Sequence, residues 1–292
     1  MINAALVKEL REKTGAGMLD CKNALVETDG DIEKAIDWLR EKGIAKAAKK
    51  AGRIAAEGLV KIASAGDKAV VLEMNSETDF VAKNEKFLSL LDLTAQALLD
   101  SPIVDLPEAL ALPIAGLSIA ERLTEATALI GEKIDLRRFA SVTKASDESF
   151  GLYTHFDGRI AVVAVLQGGD QQVAKDIAMQ IASMAPSFIS REEISEDFIA
   201  RERAVQQGIM ANDEDMAKKP ENIQNNILEG RISKALQELC LRDQVFFKDS
   251  NLKVSQYLQD HQAVCRSFIR YEVGEGLEKK TADFADEVAS ML

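Results

Sequence analysis

The chain has 292 residues, 47% of them hydrophobic and 29% charged, enough to bury a core and to form more than one domain. A net charge of -12 excludes broad nucleic-acid binding, which needs a basic footprint to displace counterions. No apolar run reaches the length of about 18 residues that a transmembrane helix needs, and no signal peptide is expected behind Met1.

The charge is uneven. Residues 1–53 hold 11 Lys/Arg against 9 Asp/Glu, leaving 25 against 39 for the remainder, which suggests a mildly basic head on an acidic body. Within the head, Leu6, Val7 and Leu10 sit at helical spacing. Thr14-Gly15-Ala16-Gly17 breaks that helix, because glycine tolerates backbone angles that other residues resist. Met18, Cys21, Ala24 and Leu25 give a second stripe. Asp31 is placed to cap a third helix carrying Ile32, Ala35, Ile36 and Leu39, and Gly43 is its expected stop. Lys46 to Arg53 reads as a solvated helical linker.

The period then changes from helix to strand. Leu59–Ala63 and Ala69–Met74 form a predicted hairpin about the turn at 65–68. A helix follows from Glu85 to Leu99, with Phe87, Leu88, Leu91 and Leu98 as expected core contacts. Pro102, Pro107 and Pro113 mark a loop. A further helix spans about Ser118 to Ile130, and Ile134–Ala140 alternates as a strand.

The same order recurs. Gly151–Thr154 and Ile160–Val165 make a second hairpin about Asp157-Gly158-Arg159, a helix covers about 171–185, and Val264–Tyr271 is a late strand. Hairpin, helix and late strand occurring twice predict an internal duplication of one α+β unit. Between helix and late strand lies an insertion. Ser195 caps a helix toward Ala211, the chain turns before Pro220, and a returning helix carries Ile223, Ile227, Leu228, Ile232, Leu236 and Leu239. An antiparallel helical hairpin with one apolar seam is expected, two helices packed on the core being the other reading.

Enzyme chemistry finds no foothold. There is no GxxxxGK phosphate loop, no HExxH and no GxSxG elbow. The two histidines, His155 and His261, read as isolated surface residues. Cys21, Cys240 and Cys265 are widely spaced without a CxxC pair, so inert thiols in a reduced, cytoplasmic setting are expected. No cofactor or metal site is predicted.

The most unusual stretch is Asn75-Ser76-Glu77-Thr78-Asp79-Phe80-Val81-Ala82-Lys83-Asn84. Thr78 or Asp79 is placed to cap a helical turn. Phe80 interrupts a polar run, and composition alone favours its folding back into the core over display to a partner.

Here the chain resembles the elongation factor Ts family, the exchange factors of the translational GTPase elongation factor Tu. Leu10-Arg11-Glu12-Lys13-Thr14-Gly15-Ala16-Gly17-Met18-Leu19-Asp20-Cys21-Lys22 resembles the family's N-terminal signature, and Thr78 to Asn84 its central one. Glu229-Gly230-Arg231 lies where the family's coiled coil returns, while Phe268–Gly276 and Thr281, Asp283, Phe284 and Ala285 resemble its C-terminal end.

The resemblance implies an α+β protein with a three-helix ubiquitin-associated-like N-terminal domain, duplicated α+β core subdomains with antiparallel sheets, an inserted antiparallel coiled-coil hairpin and a C-terminal helix. Boundaries follow at 1–53 for the head and linker, 54–143 for the first core half, 144–189 with 231–273 for the second, 190–230 for the coiled coil and 274–292 for the C-terminal module. It implies partner contact by Leu10, Gly15, Met18, Thr78, Asp79, Phe80, Val81, Lys83, Asn84, Asp283 and Phe284. It further implies that Phe80 enters beside the nucleotide of elongation factor Tu and loosens its magnesium and phosphate contacts. The turn at His155 matches another contacting region, with variable length. No nucleic-acid or membrane partner is implied, and a homodimer stays open. The competing reading is a ubiquitin-associated-like peptide-binding adaptor with a coiled-coil oligomerisation element, and a small-molecule enzyme with a site between the core halves is the third.

Overall fold

The computed structural model describes residues 3–277, apart from 214–215 and 217–218. It is a mixed α+β protein with N-terminal helices and several small antiparallel sheets. Its described residues divide into two compact units: one is built from those within 3–142, 156–160 and 271–277, the other from those within 143–155 and 161–270.

The first unit begins with α1 (Ala4–Thr14), α2 (Met18–Glu27) and α3 (Ile32–Ala48). Asn3 caps α1 by accepting from the Leu6 N–H, and Asp31 caps α3 by accepting from the Lys34 N–H. Gly15 closes α1 in the left-handed region, at φ 68°. Val7, Leu10, Cys21, Ala24, Leu25 and Ala35 form a small core of their own.

The expected stop at Gly43 is overridden, since α3 runs on to Ala48. Packing is the reason. A Cβ built on Gly43 lies 3.2 Å from the Cβ of Ala128, on α7 (Ile119–Ile130), so the missing side chain lets two helices approach. Arg40 pairs with Glu121 at 2.7 Å beside this crossing, and Lys50 donates to the Gly131 carbonyl. In a free helix, glycine replaced by alanine gains about 0.5–1 kcal/mol. At this crossing we expect no such gain, and Gly43→Val should lose about 1–3 kcal/mol by overpacking. Urea unfolding measures both, and a Gly43→Val protein as stable as the parent would show that α3 does not bear on α7 there.

The body of the unit is a three-stranded sheet of β1 (Glu57–Ala65), β2 (Lys68–Ser76) and β5 (Asp135–Thr143) in the order β1-β2-β5. β1 and β2 pair as an antiparallel hairpin from Glu57↔Ser76 to Ala65↔Lys68. β2 is central and buried along nearly its whole length. One turn of helix, α4 (Asp79–Ala82), leads into α5 (Glu85–Asp100), which packs Phe87, Leu90, Leu91, Ala95 and Leu98 into the main core. Leu88, an expected core contact, is instead exposed, because it stands one helical step off the stripe begun by Phe87. The proline-marked loop is more ordered than expected. Pro107 lies in the first turn of α6 (Leu106–Ala111), and Pro113 begins the two-residue β3 (Pro113–Ile114), paired with β4 (Leu117–Ser118). A capping box between Ser118 and Glu121 then starts α7.

The second unit carries a sheet of β6 (Glu148–His155), β7 (Ile160–Gln167) and β10 (Val264–Glu272) in the order β10-β7-β6, with α8 (Gln171–Met184) against it. A Cβ on Gly151 of β6 would meet the Ala174 carbonyl oxygen at 2.1 Å, so glycine permits α8 to lie this close. Ser195 caps α9 (Glu196–Ala211) by accepting from the Phe198 N–H. α9 shares a seam of Ile194, Met210, Leu228, Ile232 and Leu236 with α10 (Glu221–Leu239). α10 is continuous across Gly230, so a boundary at 230 falls within a helix. Unanticipated from the sequence are the small hairpin of β8 (Val245–Phe246) with β9 (Asp249–Lys253), and α11 (Val254–Asp260).

Candidate functional site

Two caps stand six residues apart after β2. The Thr78 hydroxyl accepts from the Val81 N–H at 3.5 Å, and Asn84 Oδ1 accepts from the Lys86 N–H at 2.9 Å. Between them only the single turn α4 fits. That turn rests on Val81 and Ala82, which are buried in the main core. Successive helical residues are rotated by about 100°, so with Val81 and Ala82 inward, Asp79, Phe80 and Lys83 face out. Phe80 is 80% exposed, the most open large apolar side chain among the described residues. The core position favoured by composition is therefore overturned.

The turn is held firmly from below. The Thr78 N–H and hydroxyl both donate to the Glu132 carboxylate, at 2.9 and 2.8 Å. Ser76 Oγ donates to the Thr78 carbonyl at 2.9 Å. The Glu77 carboxylate accepts from the Lys133 N–H at 2.7 Å and from Arg53 at 3.2 Å. Asp79 and Lys83 form an exposed ion pair at 3.5 Å, an arrangement that contributes little to stability and leaves both charges available to a partner.

The structure brings the two signatures together. Lys86, two residues past Asn84, donates to the Gly15 carbonyl at 3.3 Å. Met18, in the next turn of the head, is 48% exposed. Asn84 also lies on the surface. Leu10 is 0% exposed inside the head core, and Val81 is buried as well, so their side chains support this surface and do not form it. Asp283 and Phe284 lie outside the described residues.

Sequence reasoning missed Glu132 and Glu77 as supports. The turn expected about Asp157-Gly158-Arg159 is a 3-10 turn at Phe156–Gly158, in the first unit. There Phe156 is 70% exposed with φ 47°, an uncommon backbone for an aromatic residue. The histidines are not isolated: His155 Nδ1 meets Tyr153 Oη at 2.8 Å, and His261 Nδ1 donates to the Tyr257 carbonyl at 2.8 Å.

Among the described residues two carboxylates are buried, Glu73 and Asp176, and both are occupied. Burial pushes Glu73 up, but the Gly274 N–H, both guanidiniums of Arg137 and Arg138, and the Asn75 amide outweigh it and hold the carboxyl below its usual range. Burial likewise opposes ionisation of Asp176, yet donors from Lys248, Tyr257 and Gln172 hold it low. Each is an ion fixed by structural donors, unlike a general acid or base, whose pKa must lie near working pH. Burial raises the thiol of Cys265 to about 12, leaving it inert.

The geometry therefore displays an aromatic residue on a rigid base next to the head. A family model described as elongation factor TS matches residues 77–275, a span that opens on this turn. Elongation factor Ts of Oenococcus oeni is 50% identical over 291 residues, covering 100% of this chain and 98% of that protein. Elongation factor Ts of Acholeplasma laidlawii is 51% identical over 292 residues, covering 100% and 99%. With an end-to-end match at that identity, the chain belongs to the elongation factor Ts family, the nucleotide exchange factors of elongation factor Tu.

Proposed function

We propose that this chain acts on elongation factor Tu through the Thr78–Asn84 turn, with Phe80 as the wedge and the Gly15–Met18 loop extending the same contact surface. Family membership makes the protein a cytoplasmic exchange factor and not an enzyme. The observation that carries the wedge reading is the 80% exposure of Phe80 on a turn whose neighbours are buried and hydrogen-bonded. Tight GDP binding depends on a magnesium ion and on donors around the phosphates. An aromatic ring pressed in beside them displaces the elements that hold both. Linkage makes the effect reciprocal, so incoming GTP expels the factor as the factor expelled GDP, with no covalent step.

The finer architecture belongs to the same reading. The orders β1-β2-β5 and β6-β7-β10 match strand for strand, the late strand pairing with the second strand of each hairpin, which supports a duplicated core. The seam shared by α9 and α10 supports a coiled-coil insertion, and the separate small core of the first three helices supports a ubiquitin-associated-like head. Head and linker at 1–53, first core half at 54–143 and C-terminal module at 274–292 remain the working boundaries, while the insertion is extended from 190–230 to 190–239, the end of α10, leaving 144–189 with 240–273 for the second core half. Asp79, Lys83 and Asn84 supply polar contacts. Asp283 and Phe284 complete the contact set. Sizing of the free protein decides whether it forms a homodimer.

Two measurements on one sample test this. Release of fluorescent GDP from elongation factor Tu should accelerate on adding the chain. In the nucleotide-free complex, amide hydrogen exchange at 79–84 should slow. Stimulated release with unchanged exchange at 79–84 would remove the turn from the contact.

A further inference from the structure

Glu77 and Glu132 form a reciprocal clamp across 54 residues of sequence. Each carboxylate takes the backbone N–H beside the other: Glu77 accepts from Lys133, and Glu132 accepts from Thr78. Glu132 follows Gly131, the left-handed stop of α7 at φ 95°, so its position is set by the end of a packed helix. It takes two donors from one residue, the Thr78 N–H at 2.9 Å and the Thr78 hydroxyl at 2.8 Å. The hydroxyl proton committed to Glu132 leaves the lone pairs of Thr78 Oγ1 for the Val81 N–H. Glu132 thereby fixes the cap, and the cap fixes the turn on which Phe80 stands two residues later.

We propose that Glu132 is a positioning residue for nucleotide exchange: its carboxylate holds Thr78 so that the α4 turn presents Phe80 in one orientation. The inference rests on the reading of Phe80 as the wedge. An unclamped Thr78 keeps a weak cap, and the turn gains other arrangements. Each of them lowers the fraction of molecules ready to engage, which the complex must restore at the expense of affinity or rate. Half-buried Glu132 touches the backbone and hydroxyl of a single residue, an arrangement that orients more than it stabilises.

The test is a double-mutant cycle in the GDP-release assay on the full chain. Glu132→Ala should cut stimulation about tenfold, the factor carried by one hydrogen bond to a charged group. Glu132→Gln should recover part of it, because its amide oxygen still accepts from the Thr78 N–H. In a Phe80→Ala background, Glu132→Ala should add far less than its loss in the parent, since the ring is the main contact that the clamp positions. Additive losses would show that Glu132 acts independently of Phe80 and would overturn the proposal, as would full stimulation by Glu132→Ala. If Glu132→Ala does not fold, the cycle is run with Glu132→Gln, and the same additivity decides. A Phe80→Ala protein with full activity would sink the wedge reading itself, an outcome distinct from a silent or additive Glu132.

Discussion

Phe80→Ala should leave the melting temperature of the free protein nearly unchanged and abolish most of its stimulation of GDP release. A buried phenylalanine truncated to alanine costs about 3–5 kcal/mol. Phe80 is 80% exposed, so its truncation should cost roughly 1 kcal/mol or less in the free chain. In the complex the ring is desolvated, where one aromatic anchor carries about 2 kcal/mol or more, equivalent to roughly 30-fold. The neighbouring position supplies the control. Val81 is 8% exposed and plugs the core, so Val81→Ala should lower stability by about 1–2 kcal/mol. Asp79→Ala should weaken exchange less than Phe80→Ala, since its carboxylate sits in a solvated ion pair with Lys83. Calorimetry and GDP release on the same Phe80→Ala sample decide. Strong destabilisation would mean that the ring packs internally in solution, and normal stability with normal exchange would remove it from the mechanism.

The exposure of Phe80 was readable, though not from composition. Aromatic residues are mostly inside, and that prior points the wrong way here. The informative pattern is local: caps at Thr78 and Asn84 leave one turn, and Val81-Ala82 claim its inner face. Three short helices, both main hairpins and the seam of α9 with α10 were similarly legible, because caps and periodicity act within a few residues. What was not legible depends on contacts far along the chain. Gly43 reads as a helix stop until Ala128 arrives against it. Glu77 and Glu132 look like any surface carboxylates until the end of β2 meets the end of α7. The β8–β9 hairpin has too few residues for a period. It is tied by Gln180, whose amide donates to the Val245 carbonyl and accepts from the Phe247 N–H.

Glu73 should be the most sensitive single position for the stability of the first unit. It is 0% exposed, on the central strand β2. Its carboxylate accepts from Arg137 at 3.0 Å, Arg138 at 2.6 Å and the Gly274 N–H at 2.8 Å. The same arginines reach on to the 272–275 turn, Arg138 to the Glu272 carbonyl at 3.0 Å and Arg137 to the Glu275 carbonyl. Arg138 also stacks over Tyr271, 4.2 Å from its ring centre. One buried anion therefore joins β2 and β5 to the chain where it leaves β10. Removing one member of a buried pair strands the other charges, at a cost of about 3–5 kcal/mol, so Glu73→Ala should unfold at far lower urea. Glu73→Gln keeps an acceptor for Gly274 and should lose less. The pH dependence has a definite sign. The folded carboxyl is held below its unfolded value, so the unfolded chain binds the proton first as pH falls. The stabilisation is fully present above the unfolded carboxylate value of about 4.3 and disappears as pH drops through the folded one. Asp176 is shifted in the same direction, so the parent and Glu73→Gln should both weaken in acid. Their difference isolates Glu73: the gap in urea midpoint should be widest near neutrality and close on acidification below about pH 4. A gap that stays constant across that range would show that the Glu73 charge is not what holds the turn.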